Sequence, residues 1–425
     1  LNFNEVLKYI HEKEKLGSVF GLEAINELLF RLNNPEKGIK AIHIAGTNGK
    51  GSIMAFIEEA LIQAGYKVGR YISPVIFDYC ERWKLNKRWA TEEEVSRVIT
   101  EISEKVSDMI RDGYVSPTAF EIETAAAFML FKEWDVDYML IECGMGGRLD
   151  ATNVIEEDVI NVLASISMDH MNVLGTDISD ITSEKLGIVR KDSTLITYPE
   201  TDEVMNQIIE YTKENSVQLY SADISKLSIL DENMYGSAFI YNGNEYKINM
   251  GGHYQIYNAV TAIEALQRIQ GLDTDIIRKG LEKTSWEARF EVINDNPVVI
   301  VDGAHNEDAW IKLRESLESL FTSGNITFII GVLADKEYYK MIKILAPVID
   351  KVYTVQSSNP RALSKETLAE LFNREGIKAF PADNVNEAIK SATDNADFES
   401  DIIVVCGSLT ITGEAIRYYK KINME

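Results

Sequence analysis

Ile42-His43-Ile44-Ala45-Gly46-Thr47-Asn48-Gly49-Lys50-Gly51-Ser52 is the stretch on which the fold turns. Its first residues end an apolar run that starts at Lys40 and predicts a β-strand. Beyond it Ile53, Ile57, Ala60, Leu61 and Ala64 recur at helical spacing, which predicts one apolar helix face, and Gly65 supplies a stop. A glycine-rich turn between strand and helix makes an anion site. Backbone N–H groups and the positive end of the helix dipole converge there, and glycines permit close approach. Lys50 adds a point charge suited to β/γ-phosphates. The spacing departs from G-x-x-x-x-G-K-[ST]: only Thr47 and Asn48 separate Gly46 from Gly49, and Gly51 stands between Lys50 and Ser52. A plain strand-to-helix turn is the bland alternative; strand, loop, lysine and helix in one order favour nucleotide binding.

Outward from this loop, short apolar runs alternate with amphipathic helices, the pattern of an α/β protein with mainly parallel sheets. Strand candidates are Lys40–Ala45, Lys67–Ile72, Asp137–Ile141, Val159–Ile166 and Ser193–Tyr198. A second series comprises Pro297–Val301, Ile326–Ile330, Lys351–Val355 and Asp401–Cys406. Ser237–Met250 reads as a hairpin turning at Asn242-Gly243-Asn244. After a helix at Asp275–Lys283, the breaker-rich Asn294-Asp295-Asn296-Pro297 places a domain boundary near 295. The expected domains are therefore 1–295 and 296–425.

Composition narrows the function. The 425 residues carry 43 Lys and Arg against 67 Asp and Glu, a formal charge of −24, which argues against nucleic-acid or anionic-membrane partners. With 45% hydrophobic and 26% charged residues, disorder is excluded as the main state. Cys80, Cys143 and Cys406 lack C-x-x-C spacing, so neither a zinc ribbon nor a disulfide framework is expected. The reading is a cytoplasmic protein: Leu1-Asn2-Phe3-Asn4-Glu5 has no secretory character, and no apolar run approaches the roughly 18 residues of a membrane span.

In open α/β sheets ligands gather at the carboxyl ends of strands. Glu142, Asp169-His170 and Asp302 with Gly303-Ala304-His305-Asn306 fall there. Mg²⁺ beside phosphates prefers oxygen, so Glu142 is a natural ligand, and His170 a less usual one. The alternatives are a turn cap for Glu142 and loop packing for His170. His11 and His43 read as structural, and His253 is undecided. Lys185 is either an ordinary solvated lysine or, in an apolar setting, an amine of lowered pKa open to carbamate formation.

Taken together, several segments resemble folylpolyglutamate synthase/dihydrofolate synthase, a branch of the Mur ligase superfamily. They are Ile42 to Ser52, Ser73-Pro74, Glu81-Arg82, Thr118-Ala119-Phe120-Glu121, Glu142 to Asn153, Asp169-His170 and Glu184 to Ile188. His253-Tyr254-Gln255 with Asn258-Ala259, Arg289-Phe290-Glu291, Asp302 to Asn306, Asp335-Lys336 and Gly407-Ser408-Leu409 follow in family order. The resemblance implies a large N-terminal P-loop-type ATPase domain, a smaller Rossmann-like C-terminal domain, and an active site between them. It implies ATP-dependent addition of L-glutamate to a reduced folate, and in many bacterial members to dihydropteroate, through an acyl phosphate. Small-molecule substrates and a monomer are expected.

By the same resemblance Thr47, Asn48, Gly49, Lys50, Gly51, Ser52, Asn258, Arg289 and Asp302 contact ATP. Ser73, Glu142, His170 and a carbamylated Lys185 hold two Mg²⁺. Lys50, Lys185, Arg289 and His305 act in catalysis. Thr118, Phe120, Glu121, Leu149, Asp150 and Ala151 face the pterin, and His305 and Ser408 the incoming glutamate. For Phe120 a purely core role stands equally open. Val75 stands where the family commonly has His after Ser-Pro; Glu307 replaces a usual Pro, Leu186 a common Ala, and Trp286-Glu287-Ala288 lacks the usual Pro-Gly before Arg289. A cell-wall precursor ligase of the same superfamily, and a nucleotide-dependent ATPase or switch without ligation, are the alternative readings.

Overall fold

Lys40–Ala45 (β1), Val68–Tyr71 (β2), Tyr138–Glu142 (β5), Val159–Leu163 (β6), Thr194–Thr197 (β7) and Gln218–Ser221 (β8) are the parallel strands of the first sheet. Trp83–Leu85 (β3) and Arg88–Trp89 (β4) extend it antiparallel at one edge, giving the order β4-β3-β2-β5-β1-β6-β7-β8. The computed structural model describes residues 1–15, 17, 21–156, 159–169, 171–398 and 400–422. β1 lies between β5 and β6, so the glycine loop leaves the sheet beside the ends of both neighbours.

Leu227–Asn233 (β9), Gly236–Tyr241 (β10) and Asn244–Ile248 (β11) form an antiparallel sheet, turning at Asn242-Gly243 as the sequence suggests. Glu291–Asp295 (β12), Val298–Val301 (β13), Ile326–Ile330 (β14), Lys351–Thr354 (β15), Lys378–Pro381 (β16) and Ile402–Cys406 (β17) build the last sheet. Its order is β12-β13-β17-β14-β15-β16, parallel except for β12.

By their contacts the residues divide into two units: Leu1–Ile224 with Asn258–Leu281, and Ser225–Tyr257 with Glu282–Glu425. The first has an aromatic core around Trp83, Phe128 and Phe131, and the second one around Trp310, Phe328 and Phe372.

One expectation needs correction. The helix Lys50–Gln63 does not present a single apolar face; it is buried from Gly51 to Leu61 on every side. Its Glu58 pairs with Arg70 of β2 at 2.8 Å, and Gly280 of the helix Thr274–Lys283 lies against Ala60. A charged residue inside such a helix survives because its charge is matched.

His43, on β1, is structural as expected. Its Nε2 lies 2.8 Å from Thr152 Oγ1, and that hydroxyl donates to Asp150 Oδ1 at 2.6 Å, so the neutral ring carries its proton on Nε2. Burial, helped by the Arg190 charge, pushes its pKa down to about 3. The unfolded ring titrates near 6.5, so between these values the unfolded chain binds the extra proton. The stabilisation is fully present above about pH 6.5 and falls by about 1.4 kcal/mol per pH unit below it. Urea denaturation of wild type and His43→Gln should show the wild type losing stability faster between pH 6.5 and 4; parallel curves would refute this.

Candidate active site

The glycine loop is shaped for a ligand by its backbone. Gly49 precedes the helix Lys50–Gln63 with φ 89°, and a Cβ there would lie 2.5 Å from Asn258 Oδ1. Both facts require glycine. Thr47 and Asn48 donate their amides to Ser165 O at 2.7 and 3.3 Å, and the Thr47 hydroxyl exchanges hydrogen bonds with Ser167 at 3.0 Å. These two residues, expected at ATP, thus pin the loop to the end of β6. Lys50 Nζ donates to Gly46 O and Thr47 O at 3.2 Å and stands 3.9 Å from Glu142 Oε1. The buried Ser52 hydroxyl at the helix start has no protein partner. Gly49→Ala should weaken ADP binding about tenfold or more and lower the melting temperature by a few degrees, because strain and a clash coincide. Calorimetric titration and thermal melts check this; wild-type affinity would refute it.

Glu142 ends β5 and is buried; its Oε2 accepts from Ser73 N at 3.3 Å. The loop beyond Ser73 is tied by Glu81, whose Oε2 accepts from Ile76 N and Phe77 N at 3.1 and 2.8 Å. Val75, where the family commonly has His, lies within this pinned loop. His170 lies outside the described residues.

Lys185, in the helix Ile178–Leu186, is 4% exposed. Burial first, and the Lys50 charge second, bring its pKa down to about 8, against the opposing pull of Cys143, Asp169 and Asp150. The loop after β5 packs against this helix: Arg148 N donates to Glu184 O at 2.9 Å, and Asn153 Nδ2 to Arg148 O and Gly187 O at 2.9 and 3.0 Å.

Several expected pterin contacts carry structural work. Thr118 and Glu121 form a capping box on the helix Ala119–Glu133, with Thr118 N and Oγ1 both 2.8 Å from Glu121 Oε2. Asp150 is buried and accepts from Met145 N, Thr152 N and Thr152 Oγ1; burial raises its pKa against these bonds. Ala151 is buried, while Leu149 is 42% exposed. Phe120 packs beside Tyr71, ring centroids 6.0 Å apart, and its Cζ lies 2.6 Å from where a Gly144 Cβ would be. Both the core and the substrate reading of Phe120 are compatible with this position.

Within the second unit, Asp302 is buried at the end of β13 and accepts from Tyr254 Oη, Phe290 N and Ala304 N at 2.5, 2.9 and 2.7 Å. Burial raises its pKa, opposed by these bonds and the Arg289 charge. His305 Nδ1 is 2.8 Å from Gly303 O, and Ser408 Oγ accepts from Thr410 N at 3.2 Å. Arg289 lines a cavity of about 210 Å³ with Trp286, Glu291 and Lys420. Tyr254 joins this cluster from 48 residues away in the chain, a separation that leaves no local spacing to read.

Ser73 and Glu142 offer oxygen, and the Ser52 hydroxyl is buried without a partner, a donor set that fits a hard cation on phosphate. Among the described residues no group of three or more His, Cys, Asp or Glu could hold a metal by itself. Among these residues no helix is long and apolar enough to cross a membrane.

Residues 44–266 match the Mur ligase middle domain and residues 288–409 the Mur ligase glutamate ligase domain. The chain is 33% identical over 423 residues to dihydrofolate synthase/folylpolyglutamate synthase of Bacillus subtilis, covering 96% of each. Folylpolyglutamate synthase of Mycobacterium tuberculosis, solved with ADP and AMPPCP, superposes with a TM-score of 0.89 at 28% identity, covering 98% of each chain. A bifunctional folylpolyglutamate synthase/dihydrofolate synthase with Mn, AMPPNP and L-glutamate bound gives 0.84 at 30% identity, again covering 98% of each.

Proposed function

Because this chain belongs to the Mur ligase family, in its dihydrofolate synthase/folylpolyglutamate synthase branch, we propose that it joins L-glutamate to a folate carboxylate using ATP. The observation that carries this reading is the loop itself: Gly49 in a left-handed turn, Lys50 beside Glu142, and a partnerless Ser52 hydroxyl at a helix start. A triphosphate there meets backbone N–H groups, the helix dipole and an ammonium together.

The chemistry requires two steps. A carboxylate is a poor electrophile, so its oxygen attacks the γ-phosphorus and ADP leaves. The amine of glutamate then adds to the acyl carbon, loses its proton, and inorganic phosphate departs as the amide forms. Lys50 and Arg289 are assigned to neutralise charge on the phosphoryl oxygens, with Thr47, Asn48, Gly49, Gly51, Ser52, Asn258 and Asp302 forming or supporting the nucleotide site. Ser73, Glu142 and His170 are the assigned magnesium ligands. Lys185, once carbamylated, would add a carboxylate for a second ion. Bound Mg²⁺ supplies Lewis-acid polarisation of the phosphoryl group. Phe120, Leu149, Asp150 and Ala151, with Thr118 and Glu121 shaping the helix start, are assigned to the pterin, and His305 and Ser408 to glutamate.

Residues 1–295 are proposed to carry ATP handling and 296–425 glutamate ligation; the two matched spans support this division except over residues 288–295, and the contact-defined units group Ser225–Tyr257 and Glu282–Asp295 with the C-terminal residues instead. Buried, separate cysteines support a reducing, cytoplasmic setting, and a monomer acting on small molecules is the proposed state. The test is an assay with MgATP, L-glutamate and either tetrahydrofolate or dihydropteroate. Phosphate should be released in step with a new glutamyl amide. ATP turnover without glutamate, or ligation only to a nucleotide-linked muramyl peptide, would overturn the reading.

A further inference from the structure

Arg289 sits between two residues that hold an unusual backbone: φ is 56° at Ala288 and 48° at Phe290, a region that side chains disfavour. Such a turn persists only where its surroundings fix it. Three hydrogen bonds do so: Phe290 N to Asp302 Oδ2 at 2.9 Å, Gly303 N to Ala288 O at 2.8 Å, and Ala288 N to Glu291 Oε2 at 2.9 Å. Gly303 leaves space that Arg289 Nη1 enters; a Cβ there would collide with it.

Asp302 is in turn held by Tyr254, whose hydroxyl donates at 2.5 Å to the same Oδ2 that receives Phe290 N. Gly252, at φ 91°, makes the room: a Cβ on it would lie 2.9 Å from Tyr254 Cε1 and 3.3 Å from Phe290 Cβ. Tyr254, Asp302 and the turn around Arg289 thus form one packed, hydrogen-bonded group.

We propose that Tyr254 is a positioning residue: acting through Asp302, it fixes the Ala288–Phe290 turn and with it the direction in which Arg289 meets the phosphoryl group. This rests on the assignment of Arg289 made above. Asp302, already accepting three hydrogen bonds, serves chiefly as the link between them. Removing the Tyr254 hydroxyl takes a donor from Oδ2 while the ring keeps its volume, so Phe290 N and Arg289 are held less firmly and no cavity opens.

The test compares Tyr254→Phe, Arg289→Ala and the double variant of the full chain, with saturating MgATP and a reduced folate and with L-glutamate varied up to saturation. Tyr254→Phe should lower kcat about tenfold, leaving KM for glutamate and the melting temperature near wild type. In the Arg289→Ala background the same change should alter kcat by less than about twofold, since interacting sites are not additive. An equal fold-loss in both backgrounds would overturn the proposal, as would a wild-type kcat in Tyr254→Phe or a loss matched by a large fall in melting temperature. Wild-type kcat in Arg289→Ala alone would remove the assignment of Arg289 and the proposal with it. No ligation by the wild type with any folate would point instead to failure of the functional reading.

Discussion

Lys185→Ala is expected to lower kcat by about 100-fold or more while leaving ADP affinity within about threefold, if Lys185 supplies a carbamate to a catalytic metal. The reasoning starts from where this lysine sits. It is buried in the helix Ile178–Leu186, against a loop locked by Arg148 and Asn153, with its pKa lowered to about 8 by burial and by Lys50. Carbamate formation needs the neutral amine. The lowered pKa makes the neutral amine far more available near neutral pH than it is in a lysine of ordinary pKa. The modification would also reverse the local charge, turning a cation that repels Lys50 and a divalent ion into an anion that attracts both. Lys185→Arg keeps the positive charge and cannot be carbamylated, so it should fail as badly as alanine. Wild-type turnover should fall when dissolved carbon dioxide is stripped and recover when bicarbonate returns. NMR with isotopically labelled bicarbonate should show a carbamate signal that Lys185→Ala lacks. Undiminished kcat in both variants would reject the assignment.

The parts of this molecule that were legible in the sequence are those where a single local cause decides the structure. Apolar runs become buried strands, so β1, β5, β14 and β17 lie within a residue or two of where their hydrophobicity puts them. Asn242-Gly243 becomes a turn because it tolerates positive φ. Strands that depend on neighbours were less visible. Leu227–Asn233 mixes Asp231, Glu232 and Asn233 with exposed Ile229 and Leu230, and pairing with β10 rather than any period makes it a strand. Trp83–Leu85 and Arg88–Trp89 are too short for a pattern to register. The site shows the same division. Gly49 and Lys50 announce themselves, whereas the Tyr254–Asp302 bond joins residues far apart in the chain and has no local signature. Thr118-x-x-Glu121 is the instructive case: its spacing is that of a capping box, and the structure forms one.

Lys50→Ala should cost more than any other single change considered, lowering kcat/KM for ATP about 1,000-fold with little loss of stability. Its ammonium is held by the carbonyls of Gly46 and Thr47 and lies 3.9 Å from Glu142, so it is aimed from within the loop and not merely near it. A triphosphate at the helix start brings several negative charges into a partly buried site, where each unneutralised charge is more expensive than in water. Alanine removes the compensating charge while the loop keeps its backbone bonds to Ser165. Lys50→Arg should not restore activity, because a planar guanidinium cannot take the place of a compact ammonium between two carbonyls. Glu142→Gln should fail differently: nucleotide affinity measured without metal should survive, while the Mg²⁺ concentration needed for half-maximal turnover rises about tenfold or more. Steady-state kinetics across an Mg²⁺ series, with calorimetric titration of ADP, separate these outcomes. If Lys50→Ala bound and turned over ATP like the wild type, the triphosphate would have to sit elsewhere, and the ligase mechanism built on this loop would fall with it.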